Sequence, residues 1–112
     1  MNLPNRDKAF VPAAKLHDYL LSVSHSVGRS KAKFFRRFGF DEDSASLLEE
    51  GLVSIAQTEE VVTKMTTPFG TKYTIDGALM TPRGLSVNIR TVWIVEENEA
   101  EPRFVTAYPR PK

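Results

Sequence analysis

The chain contains no cysteine, which excludes disulfides, thiolate zinc sites and cysteine nucleophiles together. Its only histidines are His17 and His25, so a histidine-based metal centre is poorly supplied, and the carboxylates show no recognisable metal-binding spacing. No metal and no other cofactor is expected. No apolar run approaches the roughly 20 residues of a membrane-spanning helix, and the polar opening Met1-Asn2-Leu3-Pro4-Asn5-Arg6-Asp7-Lys8 lacks the apolar centre of a secretion signal. An excess of one charge is missing too. Fifteen Lys and Arg against 14 Asp and Glu leave +1, so bulk electrostatics would not drive binding to nucleic acid or membrane. Any such binding has to come from a local patch. Nothing repeats. The expectation is a cytoplasmic chain with no membrane partner.

What is present suits one globular domain. The 112 residues, 41% hydrophobic and 26% charged, are enough for a single core and too few for two. The expected division is a lead-in at 1–11, a helical part at 12–58 and a sheet at 60–109. Leu16, Tyr19, Leu20 and Val23 follow helical spacing, which predicts a helix from about Ala13 to Ser22 with Pro12 in its first turn. His17 borders the buried stripe and reads as structural. Ser24 to Arg29 breaks the pattern at Gly28. Ser30 is then placed to cap a second helix from about Lys31 to Phe38, ended by Gly39. Lys31, Phe34, Phe35 and Phe38 share one face of it, and Lys33, Arg36 and Arg37 share a face that reads as solvated. A third helix is predicted from Asp43 or Ser44 to about Thr58, with Ala45, Leu48, Leu52 and Ile55 buried. Gly51 inside it would admit a close neighbour, at about 1 kcal/mol against alanine.

From Glu60 onward the period becomes two. Strands are expected at about 61–66, 71–80, 85–95 and 103–108, with turns at Pro68-Phe69-Gly70 and Thr81-Pro82-Arg83-Gly84. Short turns between consecutive strands imply an antiparallel meander. The class is therefore α+β: three N-terminal helices packed on a four-stranded antiparallel meander sheet. In the third strand Leu85, Val87, Ile89, Thr91, Trp93 and Val95 form the core face, and Ser86, Asn88, Arg90, Val92 and Ile94 the other. A strand apolar on both sides near Val92 to Ile94 is central. Arg90 in its middle needs a partner, either a carboxylate such as Asp76 or an incoming anion. In the fourth strand Phe104, Thr106 and Tyr108 are expected to alternate together.

The residues that stand out chemically are His25, Lys31, Arg90, Thr106 and Tyr108. A histidine titrates near neutral pH and moves protons. Lysine and arginine neutralise a pentacovalent phosphate, and the two hydroxyls can orient it. This equipment fits metal-independent RNA cleavage, in which the 2′-OH attacks its own phosphodiester. Arg29, Lys33 and Asn88 are the candidate substrate contacts beside it. For Lys31 the plainer role is a cap whose stem lies along the apolar face; for Lys33, Arg36 and Arg37 it is simple solvation.

The stretches His25-x-Val27-Gly28-x-x-Lys31-Ala32-x-Phe34-Phe35, Arg90-Thr91-Val92-Trp93-Ile94 and Pro102-Arg103-x-Val105-Thr106-x-Tyr108-Pro109 resemble a small bacterial family of domains of unknown function. The resemblance runs from about Lys15 to Pro109. That family's layout is in turn similar to the barnase, EndoU, colicin and RelE group of toxin ribonucleases: helices first, a four-stranded sheet, an early His/Lys pair, a mid-sheet Arg and a late Thr/Tyr strand. The resemblance implies a metal-independent toxin-type ribonuclease with RNA as substrate and a cognate immunity or antitoxin protein as partner. Two positions depart from the family pattern. Ser26 stands where proline often follows the histidine, and Ser30 where a second histidine often precedes the lysine. If two histidines are required, Lys31 or Tyr108 has to serve as the acid.

A non-enzymatic interaction module, an accessory or neutralising partner in a toxin system, is the alternative reading, in which Arg90 has an internal carboxylate partner. A winged-helix protein bound to duplex DNA is disfavoured, because the third helix, which would enter the major groove, is acidic and phosphates would repel it.

Overall fold

A computed structural model describes residues 1–21 and 29–111, with residues 18–19 and 29–31 described by their backbone alone. A 3-10 turn, Arg6–Lys8, precedes helix α1, Ala13–Lys15, which runs into a π-helical segment, Leu16–Leu20. Helix α2 spans Arg29–Arg37, and a second 3-10 turn, Glu42–Ser44, leads into α3, Ala45–Thr58. Strands β1 (Val61–Thr67), β2 (Gly70–Met80), β3 (Ser86–Glu96) and β4 (Arg103–Pro109) complete the chain. They form one antiparallel sheet in the order β1-β2-β3-β4. The chain is α+β, with the expected meander and with β3 inside the sheet.

The helices differ from expectation in detail. The first is not an uninterrupted α-helix: Lys15 and Leu16 donate to the Pro12 carbonyl, but Leu21 donates to the Leu16 carbonyl at 3.2 Å, a five-residue step that widens the turn. Ser30 lies inside α2 rather than ahead of it, so it is not the cap. The buried side of α2 centres on Ala32 and Phe35, each fully buried, with Phe34 and Phe38 stacked edge-on at its border. Arg36 is not merely solvated. Its Nε and Nη2 donate to the Leu21 carbonyl at 2.9 and 2.6 Å and it pairs with Glu42, so it ties the end of the first helical segment to the start of the third. The cap of the third helical region lies at Asp41. The carboxylate accepts from the Asp43 and Ser44 amides, and Ser44 Oγ accepts from the Asp41 amide at 2.9 Å, a reciprocal capping box.

Helices cover one face of the sheet. Leu16, Leu20, Phe35, Leu48, Leu52 and Ile55 meet Ile75, Leu79, Ile89, Trp93, Phe104 and Ala107 in a single core. Leu85 does not join it. It precedes β3 and is 64% exposed. Glycines set the closeness of α3 and β2: a Cβ on Gly51 would lie 2.3 Å from Leu79 Cδ1, and one on Gly77 would lie 2.8 Å from Ile55 Cγ1. Gly51→Val is therefore expected to destabilise the fold by about 1–3 kcal/mol, outweighing the few tenths it gains in helix propensity. Urea denaturation checks this; an unchanged or raised midpoint would mean that Leu79 simply moves aside.

An irregularity in β4 decides which of its side chains share a face. Val92 pairs with Thr106 but Trp93 pairs with Phe104, which leaves Val105 as an extra residue in β4. Such a bulge reverses the alternation of the strand. Phe104 and Ala107 both turn into the core, fully buried, while Thr106 and Tyr108 turn to the other face. The expected common face of Phe104, Thr106 and Tyr108 is thus corrected: the hydroxyl pair holds together and the ring leaves it.

Candidate functional site

The sheet face opposite the helices carries the even-numbered residues of β2 and β3. In register across it, Asp76 on β2 stands opposite Arg90 on β3, which stands opposite Tyr108 on β4. Two residues along, Thr74, Val92 and Thr106 make the next row. On the other side Ala78 pairs with Asn88, whose carbonyl accepts from the Arg110 amide at 3.2 Å. Strands sit about 4.8 Å apart with about 3.3 Å per residue, so Arg90, Tyr108, Thr106 and Asn88 occupy one small patch. This alternation follows from β-strand geometry, and the bulge at Val105 brings the β4 hydroxyls into it.

Arg90 is held by two parallel bonds. Its Nε donates to Asp76 Oδ1 at 2.7 Å and its Nη2 to Asp76 Oδ2 at 3.0 Å. The carboxylate is 10% exposed and the guanidinium side chain 26% exposed, so this fork is sheltered but open on one side. Arg110 Nε approaches Asp76 Oδ2 at 3.3 Å. The hydrogen bond from Arg90 holds the Asp76 carboxyl below its ordinary value; the charges of Arg90 and Arg110 act in the same sense, and burial opposes them. Arg90 is correspondingly raised, first by its bond to Asp76 and to a smaller extent by the neighbouring Tyr108 oxygen. Two guanidinium groups share one carboxylate, so the cluster keeps a net positive charge. Arg90 has five N–H donors, and Asp76 accepts from only two of its nitrogens, so donors remain for an anion. The flat guanidinium is aimed before any ligand arrives.

The sequence-derived candidates fall into two groups. Arg90, Thr106, Tyr108 and Asn88 are brought together on the open sheet face. His25 lies outside the described residues, as do the side chains of Arg29 and Lys31, whose backbone forms the first turns of α2. Lys33 is exposed on α2, in the helical layer. Arg110 was not among the candidates. Its signal is faint, an arginine just beyond the last strand, and only the register shows that it reaches across to Asp76. Among the described residues no three His, Asp or Glu side chains stand close enough to share a metal ion, and no helix is long and apolar enough to cross a membrane.

No protein of curated function matches the chain. Among solved structures, a chain of the contact-dependent growth inhibition toxin–immunity protein complex from Klebsiella pneumoniae 342 superposes with a TM-score of 0.72. It is 22% identical, and the match covers 96% of this chain and 97% of that one. That likeness is one of fold. The sequence match is broader in kind: residues 2–111 fit the family described as Domain of unknown function (DUF6883), and the chain belongs to that family.

Proposed function

We propose that the protein is a metal-independent endoribonuclease of bacterial toxin type that works on the open face of its sheet. The observation that carries this reading is the row Asp76–Arg90–Tyr108 with Thr106 beside it, a preorganised anion clamp flanked by two hydroxyl-bearing side chains. In the proposed reaction His25 takes the proton of a ribose 2′-OH. The 2′ oxygen bonds to the adjacent phosphorus, and the P–O5′ bond breaks. The 5′ oxygen receives a proton from Tyr108 or Lys31, leaving a 2′,3′-cyclic phosphate and a 5′-hydroxyl. Arg90 and Lys31 neutralise the charge that builds on the phosphate, Thr106 and Tyr108 position it, and Arg29, Lys33 and Asn88 contact the flanking RNA. The fold likeness to a chain of a toxin–immunity complex supports a toxin-system role, with a cognate immunity or antitoxin protein as partner and the cytoplasm, where RNA is met, as the place of action.

The Asp76–Arg90 ion pair also favours a second reading, a non-enzymatic interaction module of such a system, in which the pair is structural. Incubating the purified chain with total RNA in EDTA separates the two. Cleavage that falls at least about a hundredfold in His25→Ala supports the nuclease. No cleavage by the wild-type chain, or cleavage unaltered by the substitution, would leave only the interaction module.

A further inference from the structure

We infer that the same sheet face holds a second nucleotide subsite at the β1–β2 hairpin end, built by Phe69, Lys72 and Ile94, which takes a base and phosphate of single-stranded RNA flanking the cleavage point. This deepens the ribonuclease reading and rests on it. Lys72 and Ile94 pair across β2 and β3, four residues along β3 from Arg90, or about 13 Å. Here a cavity of about 330 Å³ opens, lined by Lys15, Phe69, Lys72, Ile94, Glu96 and Arg103, with Phe104 and Val105 behind.

Three features of this cavity point to a nucleotide. Ile94 is only 5% exposed although it lies on the face that the helices leave bare, so the cavity has an apolar floor. Phe69 is 77% exposed at the tip of the hairpin. The two-residue turn leaves its ring without a ring partner among the described residues. An aromatic face of that kind is where a base stacks, whatever its identity. The charges are also uneven. Glu96, the carboxylate of the wall, is paired with Arg103, while Lys72 makes no ion pair among the described residues. A bare stacking ring, an apolar floor and surplus positive charge together match a base attached to a phosphate. Neither a neutral ligand nor a metal ion would use all three. Thr74, Val92 and Thr106 bridge the interval to Arg90, so a strand of a few nucleotides lies along the face without crossing a charge of its own sign.

The test uses the full chain, a fluorescein-labelled hexauridylate carrying 2′-O-methyl groups so that it cannot be cleaved, and separately an unmodified dinucleotide. Phe69→Ala is expected to weaken hexamer binding at least about fivefold in fluorescence anisotropy, and Phe69→Tyr to retain it. Lys72→Gln is expected to reduce the slope of log affinity against log salt by about 0.7. Cleavage of the dinucleotide, too short to span both places, should stay unchanged in all three variants. Wild-type affinity preserved in both Phe69→Ala and Lys72→Gln would overturn the subsite, as would no binding of the hexamer by the wild-type chain. The two proposals fail separately: Phe69-dependent binding without cleavage of total RNA keeps the subsite and removes the nuclease, and cleavage with Phe69-independent binding does the reverse.

Discussion

Replacing Arg90 by alanine is expected to lower single-turnover RNA cleavage by about 10²–10³-fold, and replacing it by lysine to recover only a minor part of that loss. The reason is geometric. Lysine restores the charge but not the planar fork, and the fork is what Asp76 grips with bonds of 2.7 and 3.0 Å. Asp76→Asn keeps the shape of the clamp and removes its charge, so the guanidinium stays near its place but loses its fixed angle. Its rate should fall between those of wild type and Arg90→Ala. Equal rates in Asp76→Asn and wild type would show that the pair does not orient the arginine. Stability and pH report on the same pair independently of activity. Because the folded-state pKa of Asp76 is depressed, its contribution to stability is complete above the ordinary carboxylate range near pH ~4 and is lost as the pH falls through the lower folded value. Acid denaturation of the wild-type chain should therefore be steeper below about pH 4 than that of Asp76→Asn. Parallel curves would mean that the carboxylate is no more acidic folded than unfolded.

The largest effect on stability is expected at Trp93. It is fully buried, its ring meets Phe104 edge-on at 5.4 Å, and its indole Nε1 donates to Thr91 Oγ1 at 2.8 Å. That hydroxyl donates in turn to the Ile75 carbonyl at 2.8 Å, so the chain of bonds ties β3 to β2 inside the core. Trp93→Ala should cost about 3–5 kcal/mol through the cavity it leaves, a large share of the roughly 5–15 kcal/mol that holds a domain together. Thr91→Val isolates the polar part of the effect. Valine fills the same space, leaves the indole N–H buried without an acceptor, and should cost about 1–3 kcal/mol. Chemical denaturation of both variants measures this. A loss well under 1 kcal/mol in Thr91→Val would mean that the indole finds another acceptor.

Much of this architecture was readable from side-chain spacing. The four strands, their order and the inward turn of Trp93 all follow from alternation and short turns, because a period of two leaves each residue only two directions. For Arg90 the spacing offered Asp76 or an incoming anion, and the register across β2 and β3 supplies Asp76. Gly51 was legible as a point of close approach, and Leu79 fills the space its missing side chain leaves. Other features were out of reach. The π-helical step at Leu16–Leu20 depends on which carbonyl an amide meets, and over so short a segment Leu16, Leu20 and Leu21 fit the apolar stripe of an ordinary helix too loosely to reveal it. Arg36 reads as a solvated residue on any helical wheel, because its acceptor at Leu21 belongs to a different segment.

The local pattern of apolar and polar residues was sufficient to dictate an α+β chain with a central third strand and an arginine on its polar side. Long-range pairing alone decided what surrounds that arginine. The extra residue at Val105 reverses the phase of β4 only because β3 holds its partner in register, and so sends Phe104 into the core while Thr106 and Tyr108 stay beside Arg90. The second guanidinium on Asp76 and the gathering of Phe69, Lys72 and Ile94 around one cavity arise the same way. Each brings together residues distant along the chain, and sequence spacing carries no record of such a meeting.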